Sequence, residues 1–148
     1  MPDASRGTRS CGRILLAALA LAILGGCGSR KYPVVGKVVF KDGTPLPGGM
    51  VVFSPLDPGN HTTARGYIQT DGTFELSTEK EGDGSLQGRY QAVIRPPAQG
   101  KGEDDPRRNV PVMDPRYTRL ETSGLEFEIK PSKNEILIQL DRPHGQKK

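Results

Sequence analysis

The chain has 148 residues, 34% of them hydrophobic and 26% charged, with 21 Lys and Arg against 17 Asp and Glu, no Trp and two Cys. That is enough for one domain with an added segment, and too few cysteines for a disulfide framework or a zinc cluster. The small positive excess gives no reason to expect nucleic acid as a partner.

The first element is an export signal. Arg6, Arg9 and Arg13 precede an unbroken run of Ile, Leu and Ala over 14–24. The run is too short for a bilayer core, which takes roughly 20 apolar residues, and small residues follow it. Its end, Leu24-Gly25-Gly26-Cys27, resembles the lipobox of bacterial lipoproteins. The resemblance implies cleavage between Gly26 and Cys27. It also implies a diacylglycerol thioether and an N-acyl chain, such as palmitate, on Cys27. One acyl chain gives marginal membrane binding, whereas two or three hold a protein in place. The mature chain would then work outside the cytoplasm, on the outer membrane facing the periplasm or on the cell surface. Gly28, where an inner-membrane lipoprotein has Asp, points to the outer membrane. Cys11 leaves with the signal, and the loss of three arginines brings the mature chain closer to neutral.

Residues 27–33 read as the lipidated cysteine and a tether, with Arg30 and Lys31 either solvated or beside headgroups. From residue 34 short apolar runs alternate with Gly, Pro, Asp and Asn clusters, the pattern of an all-β domain. The run 34–40 turns Val34, Gly36, Val38 and Phe40 to one face. Asp42-Gly43 and the prolines after it mark a turn. The run 50–54 has Val51 and Phe53 on one face. Runs 64–70 and 73–77 flank Asp71-Gly72, which predicts a type I′ hairpin with Phe74 and Leu76 inward. In 88–95, Tyr90, Ala92 and Ile94 point in, while Arg89, Gln91 and Arg95 point out. Residues 96–124 form a long Pro- and Gly-rich connection, of a length that is commonly functional or disordered. In 125–130, Leu125, Phe127 and Ile129 alternate with charge. Residues 131–134 turn the chain, and Ile136, Ile138 and Leu140 line the last strand. The domain thus spans 34–141 with about seven strands, and 142–148 is a polar tail.

Taken together, Val34-x-Gly36-x-Val38, Gly43-x-Pro45-Leu46-Pro47-Gly48 and Val51-x-Phe53-x-Pro55 resemble the opening of carboxypeptidase regulatory-like domains. Thr70-Asp71-Gly72-x-Phe74-x-Leu76 and Gly88-x-Tyr90-x-Ala92-x-Ile94 are similar to later motifs of that family. Pro115-Arg116-Tyr117 resembles a motif of small single-domain lipoproteins. The resemblance implies a seven-stranded Greek-key β-sandwich of the transthyretin-like (prealbumin-like) type. It implies no activity, because the catalytic part of the carboxypeptidases lies in another domain.

No catalytic constellation emerges. The transthyretin-related hydroxyisourate hydrolases use several histidines and a Tyr-Arg-Gly-Ser end. This chain has only His61, in a Pro/Gly/Asn loop, and His144, in the tail. No nucleophile elbow is present, and a hydrolase would need His61 in a pocket beside buried carboxylates. Glu79, Glu81 and Asp83 alternate like a calcium loop but lack the distant bidentate Glu, so they read as a solvated turn. No metal or cofactor is implied. The expected role is therefore non-enzymatic: a lipid-anchored envelope module that binds another protein through 96–124, with Arg107, Arg108, Arg116 and Tyr117 as contact residues. Tyr117 read as a packed loop anchor is the simpler alternative. The second reading is glycan or peptidoglycan binding on exposed aromatic rings, for which Tyr67 and Tyr117 are the candidates.

Overall fold

The computed structural model describes residues 30–97 and 112–143. The signal segment, the cleavage site at Gly26 and Cys27, and the contact candidates Arg107 and Arg108 lie outside these residues, as does His144.

Among the described residues there are nine strands, the longer ones built on alternating apolar residues, in the order β1 (Lys31–Tyr32), β2 (Val34–Phe40), β3 (Met50–Pro55), β4 (Ala64–Tyr67), β5 (Thr73–Glu75), β6 (Ser85–Leu86), β7 (Gly88–Arg95), β8 (Leu125–Ile129) and β9 (Asn134–Leu140). They form a three-stranded sheet β5-β2-β9, a four-stranded sheet β4-β3-β7-β8 and a small β1-β6 pair. The two larger sheets pack as a sandwich. All pairs are antiparallel except β2 with β9, which run parallel from Val34↔Asn134 to Phe40↔Leu140. A parallel pair cannot be closed by a tight turn, and here the intervening strands supply the crossover.

The inward residues of both sheets make one core. Val34, Val38, Phe74, Ile138 and Leu140 from one sheet meet Val51, Phe53, Tyr90, Ile94 and Ile129 from the other. Phe53 is fully buried at its centre. Its ring lies 5.4 Å from Phe127, 6.2 Å from Tyr90 and 6.5 Å from Phe74, separations at which aromatic pairs attract. Leu125 and Phe127 pack against this core while remaining partly exposed, because β8 is an edge strand.

The Asp71-Gly72 turn differs from the expected two-residue type I′ form. Gly72 N donates to Gln69 O (2.9 Å) and Gln69 N donates to Thr73 O (2.7 Å). Residues 70–72 thus form a three-residue loop that ends on Gly72 at φ 83°, where a side chain would be strained. The Asp71 carboxylate accepts from Thr73 N and Thr73 Oγ1, which fixes the loop from outside. The same device recurs at Asp42-Gly43-Thr44. There Gly43 N donates to Phe40 O, Phe40 N to Thr44 O, and Asp42 accepts from Thr44 N and Thr44 Oγ1. The 69–73 loop does not join two strands of one sheet. It passes the chain from β4 in one sheet to β5 in the other.

Two expectations at the domain boundaries change. Lys31 and Tyr32 are not tether: they pair with Leu86 and Ser85, so the folded chain begins before Val34. Part of the long connection is also folded. A 3₁₀ turn (Pro115–Thr118) and a single helical turn, α1 (Leu120–Ser123), lead into β8.

Candidate functional site

The strand directions give the sandwich two distinct ends. Val34 begins β2 and Asn134 begins β9 at the near end, where the chain enters; Phe40 and Leu140 mark the far end. In the other sheet β7 starts near with Gly88, opposite Ile129 of β8, and finishes far with Arg95, opposite Met50 of β3. The expected contact segment therefore leaves the fold at the far end, where Arg95 and Pro97 lie against Gly49. It also returns there: Asp114 N donates to Asp141 O at 3.1 Å, just past the end of β9.

That return is held by a polar latch. Asp114 accepts from Arg116 N and caps the 3₁₀ turn, with Pro115 at its first position, where the missing N–H costs nothing. The turn drives Tyr117 inward until it is 3% exposed. Its hydroxyl donates to Asp141 Oδ2 (3.0 Å) and accepts from Asp141 N (3.2 Å) and Arg116 Nη2 (2.5 Å). The Arg116 guanidinium also pairs with the Asp141 carboxylate and covers the Tyr117 ring, 4.6 Å from its centroid. Lys41 Nζ reaches Asp141 Oδ1 at 2.7 Å. The Asp141 carboxyl is held below its ordinary range, first by the Lys41 bond and then by Tyr117, against a smaller opposing effect of burial. Of the four expected contact residues, the structure thus unites Arg116 and Tyr117, but as the anchor of the segment. Tyr117 is not an exposed ring, because only its buried position lets one hydroxyl satisfy both the carboxylate and the amide of Asp141.

Tyr67 does stand free, at 75% exposure. It projects from β4 beside Arg65, because Ala64 and Gly66 take the inward positions. Gly66 lets the two sheets close on this side: a Cβ there would lie 2.8 Å from Glu75 O and 3.2 Å from the Phe74 ring. The bridge Arg65↔Ser77 completes the closure. Outside it runs a groove of about 600 Å³, whose walls include Met50, Arg65, Tyr67, Gln69, Glu75 and Lys80. One aromatic face beside side chains that donate and accept hydrogen bonds is a surface suited to a polyhydroxylated ligand. The outward positions 65, 67 and 69 are readable as one stripe of a strand; that Glu75 and Lys80 form the opposite wall is not.

At the near end Asp83 organises the 77–83 loop. Its Oδ1 accepts from Thr78 N (2.6 Å), and its Oδ2 from Lys80 N (3.1 Å), Glu79 N (3.2 Å) and Lys31 Nζ (2.8 Å). Burial opposes the charge, but the bonds from Lys31 and the Thr78, Lys80 and Glu79 amides outweigh it and hold the carboxyl far below the ordinary range. The Lys31 ammonium also meets Glu79 Oε2 at 2.8 Å, so these two carboxylates share a lysine. Lys31 and Asp83 escape a sequence reading because their partnership spans the β1-β6 pairing. No group of three or more His, Cys, Asp or Glu side chains fit to hold a metal occurs among the described residues. His61 is exposed in the loop between β3 and β4. No helix among the described residues is long and apolar enough to cross a membrane.

Comparison with family models, with curated proteins and with solved structures gives no match for this chain.

Proposed function

We propose that this chain is an exported lipoprotein, held on a membrane by acyl chains on Cys27, that works without catalysis by binding a second protein of the cell envelope. Its domain is a transthyretin-like Greek key of seven principal strands. Setting aside the two-residue β1 and β6, the two sheets hold three and four strands, in keeping with that reading. The observation that carries the binding role is the separation of ends. The chain enters the sandwich at one end, while the segment over 98–111 leaves and rejoins at the other through a purpose-built latch. Long segments placed on a rigid scaffold are where binding residues concentrate. An anchor near the entry would hold the segment away from the lipid.

The test is crosslinking in intact cells, followed by purification of the tagged full-length chain. One co-purifying envelope protein is expected, lost both in Cys27→Ala and on deletion of 100–108. Capture that survives the deletion overturns the assignment of the contact surface.

A second reading, glycan binding, is favoured by the exposed Tyr67 ring over the polar groove. It expects retention on a cell-wall polysaccharide pellet, abolished by Tyr67→Ala with thermal stability unchanged.

A further inference from the structure

The folded chain starts only four residues after Cys27, and its start is clamped. Lys31 and Tyr32 pair with Leu86 and Ser85. Lys31 Nζ is held by Asp83 and Glu79 at 2.8 Å each. Asn134 N donates to Pro33 O at 2.9 Å, so β9 grips the next residue. Even fully extended, the residues from Cys27 to Lys31 reach about 14 Å. A bilayer headgroup layer takes up roughly half of that.

Resting on the reading that Cys27 is lipidated, we propose that the domain sits end-on against a lipid surface, with its orientation set by the Lys31 clamp. The near-end loops, which carry Asn60, Lys80, Gln87 and Lys133, lie at headgroup level. The far end stands about 20 Å further out, the rise of the seven residues of β2. At the near end Lys31 pairs with Glu79 and Asp83, Lys133 with Glu135 and Arg89 with Asp57, and Arg30, Lys80 and Lys130 are set against Glu81 and Glu128, so the two signs nearly balance. The orientation therefore comes from chain length and not from attraction to anionic lipid, and it should not depend on lipid charge. Releasing the clamp would lengthen the free tether as far as Val34, to about 25 Å, and let the domain tumble.

The test uses the full chain, processed by the cell and reconstituted in vesicles, either of phosphatidylcholine or of phosphatidylcholine with phosphatidylglycerol. With Cys11 removed and Cys27 acylated, a cysteine introduced at Gln87 or at Thr70 is the sole labelling site. Both side chains are exposed. Gln87 lies at the near end, and Thr70 on the turn beside Val38 and Pro45 towards the far end. Energy transfer from a dye at each position to an acceptor lipid should be stronger from 87 than from 70, equally in both vesicle types. A ten-residue Gly/Ser insertion after Ser29 should abolish the difference, and Lys31→Ala should reduce it. Equal transfer from both positions in the acylated protein overturns the end-on seating, as does a difference that survives the insertion. The intact mass of the same sample separates this from failure of the anchor: an unmodified Cys27 refutes the lipoprotein reading itself, and the seating with it.

Discussion

Replacing Asp83 with Asn tests the near-end clamp with almost no change in volume. The carboxylate receives two donors that matter most, Thr78 N at 2.6 Å on Oδ1 and Lys31 Nζ at 2.8 Å on Oδ2, with the Glu79 and Lys80 amides also on Oδ2. The amide of Asn can still accept with its oxygen, but its NH₂ then confronts N–H donors. A hydrogen bond to a charged group contributes about 1.5–3 kcal/mol. The side chain is 18% exposed, so solvent replaces part of what is lost. We expect a loss of about 2–3 kcal/mol at pH 7, or a Tm lowered by about 10 °C in a domain of this size. The pH dependence follows in sign. The folded carboxyl titrates far below the unfolded value of about 3.9, so the native state holds the charge where the unfolded chain would take up a proton. Its contribution is complete above about pH 4 and fades as the pH falls towards the folded pKa. The gap between wild type and Asp83→Asn in urea denaturation should therefore be constant from pH 5 to 7 and shrink below 4. In a double-mutant cycle, Lys31→Met should cost less in the Asp83→Asn background than alone. A Tm within about 2 °C of wild type at pH 7 would refute the argument, since no single bond of that strength would then be in force.

Tyr117→Phe keeps the ring and removes a hydroxyl that satisfies both the carboxylate and the amide of Asp141; urea unfolding should show a loss of about 1–2 kcal/mol. Ser85 is fully buried and its hydroxyl has no hydrogen-bond partner, so Ser85→Ala should leave stability unchanged or raise it by about 1 kcal/mol; a clear loss in calorimetry would contradict that reading. Gly66→Val would force side-chain atoms against Glu75 O and the Phe74 ring, prising the β4 and β5 edges apart; a drop in Tm together with faster amide exchange at Arg65 and Ser77 is the expected signature. Ile129→Asp places a carboxylate in the core and should abolish the cooperative thermal transition.

Inside and outside were legible where apolar and polar residues alternate, although Val39, Val52 and Val93 on the outer faces are buried as well. The alternation in 34–40 and 88–95 placed Val34, Val38, Tyr90 and Ile94 inward, and all four are fully buried. Tyr67 was legible as an exposed ring for the same reason. The failures share a cause: long-range pairing that leaves no local pattern. Lys31-Tyr32 has no period to read, and becomes a strand only because Ser85-Leu86 lies alongside it. The 3₁₀ turn and α1 are too short to show a helical period, and are held by Tyr117 packing and by Gln91 Nε2 donating to Leu120 O at 2.6 Å. The type I′ expectation rested on the Asp-Gly pair alone. The deciding feature was Thr73, whose amide and hydroxyl both bind Asp71 and favour the longer loop. Because Asp42-Gly43-Thr44 repeats the triplet and the geometry, Asp-Gly-Thr is the unit that encodes the turn in this chain.

The parallel β2-β9 pair carries the functional geometry further than any single residue does. If the first and last long strands ran antiparallel, the entry and exit of the chain would share one end. Running parallel, they place the entry at Val34 and the exit past Leu140 on opposite ends. The exit is fastened as well: Arg142 bonds Asp42 Oδ2 through Nε (3.0 Å) and Nη2 (2.8 Å), and its guanidinium lies 4.2 Å from the Phe40 ring centroid. Bonds first from Thr44 and then from Arg142 hold the Asp42 carboxyl at about 2, so this fastening stays charged across the physiological range. The far end thus gathers the chain exit, both feet of the 98–111 segment and the Tyr117 latch. The near end holds the entry strand and its clamp. This division of ends is what the proposed function draws on: a domain tethered by its entry and bound at its other end would keep the two contacts about 20 Å apart, the rise of β2.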